Sequence, residues 1–180
     1  MHPRLPPDKK MTSSDTRTRK DLDSLIETFN STRASLIAAV ESVPPQLRDV
    51  PFVGNWDVRD VVAHTVGWDY TNVEALPDFA AGRLPAFFER YDPDWAAVNA
   101  DLVARYRLED WDALMGSLRE AQNAFVAALS TFSDAALDNA VSWHGRRVSL
   151  RGMLRAISRD ESEHVRQTET FLATRPGKGS

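Results

Sequence analysis

Four stretches of the chain repeat apolar residues at steps of three and four, and this periodicity constrains the fold more than any other feature. In the first stretch the pattern runs from Leu22 to Val43 and stops at Pro44 and Pro45, because proline has no N–H for an inner helical turn. A helix with one apolar face is stable only when that face packs against another element. The sequence therefore predicts an all-α fold, a four-helix bundle.

The second helix is expected to begin with Asp57 as its N-cap and to end at Leu76, because Pro77 follows directly. The connection between the second and third helices is long and rich in proline, and its last part has the pattern of a short helix over residues 94–106. Connections of this length are uncommon in small domains unless they cover something. We therefore expect this connection to shape a site.

The third helix is predicted from Trp111 to an end near Ser133 and Asp134, and the fourth is predicted to begin with Ser149 as its N-cap. Between them, residues 141–148 place Gly145 at a turn. This segment forms either a small hairpin or an extended link.

One domain is expected over residues 19–173. The flanking residues 1–18 and 174–180 have no apolar period and are expected to be disordered, with Met11 as a candidate natural start. The chain contains no cysteine, which excludes disulfides and thiolate ligands and is typical of a reducing compartment. Apolar runs are too short for a membrane span, and no signal peptide is recognisable, so we expect a cytoplasmic protein without a membrane partner.

The net charge of −4 is unevenly distributed. Residues 1–20 and 176–180 together carry about +5, which leaves about −9 on residues 21–175. Because a negative domain repels phosphate, we expect a small-molecule substrate and no nucleic acid. Four arginines, which we call the arginine stripe, are a local exception to this negative charge: Arg147, Arg151, Arg155 and Arg159. This stripe is either a solvated face paired with acids or a dock for an anionic substrate or an acidic partner.

Polar residues interrupt the apolar face of the fourth helix near its middle. At about 100° per residue, Glu161 and His164 point in the same direction as the apolar positions of this helix. Asp160 lies at the edge of that face, one turn before His164. His64 lies beside the apolar stripe of the second helix. These residues are the strongest candidates for a functional site.

Two imidazoles and one carboxylate between helices can hold a divalent metal ion and leave positions open for water or substrate. We therefore assign His64, Asp160 and His164 as metal ligands and catalytic residues. Without metal, the same three residues could act as a general base and the groups that orient it. A purely structural alternative is that the histidines are hydrogen-bonded core residues and that the acids are solvated.

Three further residues are expected to bind substrate. Trp68 and Tyr70 follow His64 on the second helix and are predicted to border a pocket above it. Glu161 points closer to the centre of the bundle than Asp160 does. Aromatic residues in and before the long connection are expected to complete an apolar pocket: Phe79, Phe87, Phe88 and Tyr91.

The residues from Asn55 to Asp69 resemble the second-helix signature of the DinB-like superfamily of four-helix bundles. Later residues are similar to the ClbS/DfsB branch of that superfamily. They are Asp94, Trp95, Asn99, Tyr106, Trp111 to Leu114, Thr131 to Leu137, and Trp143. The resemblance extends over about residues 20–172 and implies the same bundle, with a long connection between helices 2 and 3.

The resemblance also implies a metal site, in which the second helix provides one histidine and the fourth provides a His-x-x-x-His pair. His64 matches the first ligand and His164 matches the last, whereas Asp160 replaces the middle histidine. A carboxylate is a competent ligand for the same ions. We expect Zn, Ni or Fe.

Known members of the superfamily include transferases and isomerases that use a low-molecular-weight thiol, and ClbS-type proteins that open an electrophilic ring in a genotoxin. The resemblance therefore implies a metal-dependent hydrolase or a thiol-dependent transferase for a small electrophilic or thiol-conjugated molecule. Two alternatives stay open. One is a metal-free hydrolase or sequestering protein for toxin self-resistance or detoxification, and the other is a non-catalytic bundle, with a homodimer as one form.

Overall fold

The computed structural model describes residues 20–92 and 94–175, so the predictions for residues 1–18 and 176–180 lie outside the described residues. In chain order the elements are α1 (Lys20–Glu41), α2 (Val58–Ala80), α3 (Ala86–Tyr91), α4 (Trp95–Tyr106), α5 (Trp111–Leu129), β1 (Ala140–Trp143), β2 (Arg146–Ser149) and α6 (Leu150–Ala173). Short 3₁₀ turns occur at Pro45–Leu47 and Asp134–Ala136.

The four long helices form the predicted bundle. Helix α1 packs along α6 and α2 packs along α5, while α2 also contacts α6 and so joins the two pairs. The all-α four-helix bundle predicted from the sequence is confirmed. Among the described residues, no helix combines the length and the apolar character needed to cross a bilayer.

Helix α2 begins with the predicted N-cap. The Asp57 carboxylate accepts hydrogen bonds from the backbone N–H groups of Arg59 and Asp60. In return, the Asp60 side chain accepts one from the Asp57 N–H. This reciprocal pair satisfies donors that the first helical turn leaves free.

The predicted end of the second helix is wrong. Helix α2 continues through Pro77 and ends at Ala80 instead of Leu76. The proline removes one helical hydrogen bond, but Phe79 is buried in the core and keeps the last turn helical. Burial therefore outweighs the local preference of proline at this position.

The long connection contains two helices. Helix α4 was predicted, and the Asp94 side chain caps it by accepting a hydrogen bond from the Ala97 N–H. Helix α3 was not predicted. Strands β1 and β2 form the hairpin that the sequence left as one of two options, and His144 and Gly145 make its turn. Both turn residues have positive φ, of 46° and 72°, as a tight two-residue hairpin turn requires.

The bundle interior is apolar at both ends and polar in the middle. One apolar cluster includes Leu36 of α1, Val62 of α2 and Phe171 of α6. The other includes Phe29 of α1 and Leu154 of α6. Between the two clusters lies a layer of buried polar side chains: Arg33, His64, Thr65, Asp69, Asn72, Glu161, His164 and Thr168.

Helix α4 packs so closely on α2 that the contact requires a glycine at position 67. A Cβ atom added to Gly67 would lie 2.7 Å from Leu102 Cβ and 3.0 Å from Tyr106 Cδ2. We expect Gly67→Ala to destabilise the protein, because overpacking costs about 1–3 kcal/mol and outweighs the gain of about 1 kcal/mol in helix propensity.

Gly116 provides a matched control, since an added Cβ in this part of α5 meets no atom within 4 Å. Gly116→Ala should stabilise the protein by about 1 kcal/mol through helix propensity alone. Urea unfolding of both variants measures the two effects. A stabilisation of similar size in both variants would contradict the close contact between α2 and α4.

Candidate functional site

Three potential metal ligands meet where α2 faces α6, and we call them the His–Asp trio: His64, Asp160 and His164. Asp160 Oδ2 lies 3.2 Å from His64 Nε2 and 3.6 Å from His164 Nε2. One donor atom of each residue lies within 4.8 Å of the others. Two ligands bonded to one tetrahedral ion at about 2.1 Å are about 3.4 Å apart, so this spacing suits a single ion.

Both imidazoles of the trio have a buried nitrogen without a hydrogen-bond partner among the described residues. In His164 this atom is Nε2, because Nδ1 lies 2.9 Å from Gln167 Oε1. An amide oxygen only accepts, so this bond places the proton on Nδ1 and leaves a lone pair on Nε2. In His64 the unpartnered atom is Nδ1, whereas Nε2 is the nitrogen that faces Asp160, so the unpartnered atom beside the carboxylate is Nε2 of His164. A buried lone pair beside a carboxylate fits a divalent ion.

The protonation states of the trio also suit metal binding. Burial lowers the pKa of His164 by more than Asp160 raises it, which favours the neutral imidazole. Burial alone would raise the pKa of Asp160, but the hydrogen bond to His64 and the electrostatic interaction with the two imidazoles hold this pKa below its usual value. The Asp160 side chain is 56% exposed, whereas those of the histidines are at most 7% exposed. The trio is thus open to solvent on the side of Asp160.

A buried ion cluster of Arg33, Asp69 and Glu161 lies beside the trio and connects three helices. Arg33 of α1 donates hydrogen bonds of 2.6 and 3.0 Å to the two Asp69 oxygens on α2. It donates another, of 2.6 Å, to Glu161 Oε1 on α6. All three side chains are at most 2% exposed. Because Glu161 directly follows Asp160, the ion cluster and the trio share one turn of α6.

The ion cluster has one guanidinium for two carboxylates. Burial raises the pKa of Glu161 to about 7, although Arg33 lowers it. Burial also raises the pKa of Asp69, again against the effect of Arg33. Within the described part of the chain, Glu161 Oε2 and Arg33 Nε have no hydrogen-bond partner. The cluster therefore retains one unsatisfied acceptor and one unsatisfied donor.

A cavity of about 500 Å³ opens beside these groups. His64 and Asp160 of the trio border it, as do all three residues of the ion cluster. Its size lies in the range of about 300–1,000 Å³ that is typical of small-molecule sites. The rest of its lining is largely aromatic or aliphatic and includes Trp68, Phe79, Phe87, Phe88, Trp95, Trp143, Val148, Met153 and Ile157.

Of the predicted pocket residues, Trp68 borders the cavity and Tyr70 does not. The Trp68 indole N–H donates a hydrogen bond of 3.0 Å to Asn99 Oδ1. Tyr70 instead stacks on Tyr106, with ring centroids 5.6 Å apart. The expectation for Tyr70 is therefore corrected. Tyr70 follows His64 by six residues, which places its side chain about 120° away from that of His64 around the helix.

Of the four aromatic residues expected to complete the pocket, three border the cavity and one does not. Phe79, Phe87 and Phe88 border the cavity. Tyr91 does not, and its hydroxyl donates a hydrogen bond of 3.2 Å to Asp101. Helix α3 therefore contributes two of its three aromatic rings to the site.

Arg33, Asp69, Trp95 and Trp143 are among the residues that border the cavity but were not predicted as site residues. Arg33 left a signal, since it follows Phe29 by four residues and so falls on the apolar stripe of α1. Asp69 left the same signal on α2, four residues after Thr65. Trp95 and Trp143 were noticed only as part of the family resemblance, because the packing of α4 and of the hairpin, and no helical period, brings them to the cavity.

Two solved structures are similar to this chain at low sequence identity. The colibactin self-resistance protein ClbS, in complex with double-stranded DNA, has a TM-score of 0.69 and 18% identity, over 86% of this chain and 96% of that one. YfiT from Bacillus subtilis, described as a probable metal-dependent hydrolase with an unusual four-helix bundle topology, has a TM-score of 0.59 and 16% identity, over 94% of each chain. At these identities the similarity establishes the fold alone.

The prediction that excluded nucleic acid is wrong, because ClbS has this fold and was solved with double-stranded DNA. That prediction relied on the net charge of the domain, which does not determine the field at one surface. In the arginine stripe, Arg151 pairs with Asp138 and Asp21, while Arg155 and Arg159 are exposed on α6. Two arginines of the stripe are thus exposed on a domain whose net charge is negative.

A search of curated proteins found no match to the chain. A family model described as the DinB superfamily matches residues 28–168. The matched range includes the whole of α2 and α5, the His–Asp trio and the ion cluster. Because the match extends over most of the chain, the protein belongs to the DinB superfamily.

Proposed function

We propose that the protein is a divalent-metal-dependent enzyme, a hydrolase or a transferase, that acts on a small electrophilic or thiol-conjugated molecule. The observation that carries this proposal is the convergence of His64, Asp160 and His164 beside an apolar cavity of about 500 Å³. A donor set of two nitrogens and one oxygen fits Zn, Ni or Fe. The description of YfiT as a probable metal-dependent hydrolase supports the same class of activity.

In this proposal the trio would hold the ion. The ion would act as a Lewis acid and would lower the pKa of a bound water or thiol. Gln167 orients His164 by accepting a hydrogen bond from its Nδ1–H, so the Nε2 lone pair stays available. His64 and Asp160 both border the cavity, so a substrate there contacts the donor set directly.

The remaining residues of the site would bind the substrate and exclude water. Trp68, Phe87 and Phe88 provide apolar surface in the cavity that His64 and Asp160 also border. Because the chain contains no cysteine, any thiol that takes part must come from a low-molecular-weight cosubstrate.

Elemental analysis of the full chain, purified without an affinity tag, tests the metal-dependent form of the proposal. We expect about one equivalent of a transition metal per chain, or its uptake when Zn, Ni or Fe is titrated in. A content below about a tenth of an equivalent, with no uptake on titration, would refute the metal-dependent form.

A metal-free hydrolase or sequestering protein is the second candidate. The aromatic lining of the cavity favours it, together with the structural similarity to the self-resistance protein ClbS. In that case a histidine of the trio would act as general base for a water molecule, oriented by Asp160. Turnover or ligand binding that persists in EDTA would favour this candidate, and its loss would favour the metal enzyme. The cytoplasmic location and the homodimer stay predictions from the sequence.

A further inference from the structure

One side of the cavity is built from aromatic rings. The Trp68 ring lies with its centroid 5.6 Å from that of Phe87 and 6.1 Å from that of Trp95. Phe88 and Trp143 continue this surface, with centroids 4.9 Å apart. Such rings accommodate a flat apolar body, and their negative faces favour a cation over an anion.

The ion cluster borders the same cavity with an acceptor that lacks a donor. Asp69 takes hydrogen bonds from both terminal nitrogens of Arg33, and Glu161 receives one on Oε1 only. Glu161 is 2% exposed and borders the cavity, yet its Oε2 has no hydrogen-bond partner among the described residues. A buried carboxylate oxygen in this state is suited to accept a hydrogen bond from a ligand.

The charges around the cavity also favour a donor over an anion. The buried carboxylates of Asp69 and Glu161 both border it, and Arg33 balances only one of them. The opposing charges belong to two arginines of the hairpin, Arg146 and Arg147, which are exposed and therefore screened by solvent. A carboxylate on a ligand would face repulsion at Glu161, where an amine or hydroxyl would be bound.

We propose that the cavity selects small molecules that combine a flat apolar body with a hydrogen-bond donor, a primary amine above all, and that Glu161 recognises this donor. The inference rests on the proposed function in one respect, namely that the cavity is a small-molecule site. It does not depend on a metal ion. Glu161 is in this view a specificity residue that contacts the ligand.

Three naphthalene probes test the inference, because they share one ring system and differ only in the attached group. They are 1-naphthylmethylamine, 1-naphthylmethanol and 1-naphthoate, titrated into the full chain and followed by NMR of the tryptophan indole N–H signals. Trp68 is a suitable reporter, since its indole N–H binds Asn99 at the cavity. The amine should bind at least about tenfold more tightly than the carboxylate, with the alcohol between them. Equal or tighter binding of 1-naphthoate, or binding of none of the three, would overturn the proposal.

The variant Glu161→Gln tests the residue itself. Glutamine keeps an oxygen for Arg33 and turns the unpartnered oxygen into a donor, so the preference for the amine should fall to about twofold or less. Glu169→Gln removes the same charge from an exposed position on α6 and should keep the ranking of the unmodified protein. A full amine preference in Glu161→Gln, or its loss in Glu169→Gln, would contradict the assignment. If Glu161→Gln does not fold, the order of the three probe affinities in the unmodified protein still supports or overturns the proposal.

Metal analysis of the same samples separates this inference from the proposed function. An amine preference in protein that neither contains nor takes up metal would support the role of Glu161 and refute the metal-dependent activity. One bound metal ion per chain without an amine preference would support the metal-dependent activity and refute the role of Glu161.

Discussion

Replacing Arg33 by leucine is expected to destabilise the protein by about 3–5 kcal/mol, the cost of leaving buried charges without their partner. Arg33 is fully buried and donates all of its observed side-chain hydrogen bonds to Asp69 and Glu161. Without the guanidinium, two carboxylates remain in the middle of the bundle with no compensating charge. The hydrogen bonds among these three side chains also link α1, α2 and α6 to one another in the middle of the bundle.

Urea unfolding measures the loss, and Arg119→Leu is the matched control. Arg119 also forms an ion pair, with Glu41, but both side chains are more than 40% exposed. Exposed pairs contribute about 0–1 kcal/mol, so this variant should lose little. Equal losses in the two variants would contradict the role assigned to the ion cluster.

A triple variant distinguishes buried charge from lost packing. If Arg33→Leu is combined with Asp69→Leu and Glu161→Leu, no unpaired charge remains, and most of the stability should return. A triple variant as unstable as Arg33→Leu alone would show that side-chain volume, and not charge, determines the loss.

The loss in Arg33→Leu should also grow as the pH rises from 5 to 8. Burial already raises the pKa of Asp69, and removal of Arg33 removes the groups that lower it. A carboxyl group whose pKa is higher in the folded state than in the unfolded state favours folding at low pH. That contribution disappears as the pH rises through the folded-state pKa. A loss that does not depend on pH would contradict this account.

His64→Ala and His164→Ala are each expected to weaken the binding of a divalent ion by at least about 100-fold. Changes to residues that only orient a ligand cost about 10–100-fold, and these variants remove a ligand itself. Competition with a chromophoric chelator measures the affinity in the full chain. His144→Ala is the control, because His144 pairs with Asp92 at an exposed hairpin turn and should leave the affinity unchanged.

Thermal unfolding provides a second measurement for the same variants. A metal that binds only the folded state at about 100 times its Kd stabilises it by about 2.7 kcal/mol. We expect this increase in the unmodified protein and in His144→Ala, and none in His64→Ala or His164→Ala. If both site variants keep the affinity and the stabilisation, the trio is a set of core residues and not a metal site.

The sequence predicted the helices well where local periodicity determined them. The apolar steps of three and four located α1, α5 and α6, and the capping residues Asp57 and Ser149 marked two helix starts. The prediction failed at Pro77, because a local rule for proline competes there with the burial of Phe79. Helix α3 was missed because its six residues are too few to establish a period.

The candidate site was predicted in part for the same reason. His64, Asp160, Glu161 and His164 could be selected because they interrupt apolar stripes or lie beside them. Arg33 also interrupts a stripe, but its partners lie 36 and 128 residues away in the chain. Tyr70 was misplaced because its proximity to His64 in sequence was taken as proximity in space.

The apolar periods alone are enough to predict four amphipathic helices, at least two of which carry polar residues near the middle of their apolar stripe. That these polar residues lie at the same height in the bundle, and form a trio, an ion cluster and a cavity, is visible only once the helices are packed. Helical periodicity gives the direction of a side chain around the axis of its own helix. It does not give the axial register between helices, which the packing of the two apolar clusters determines.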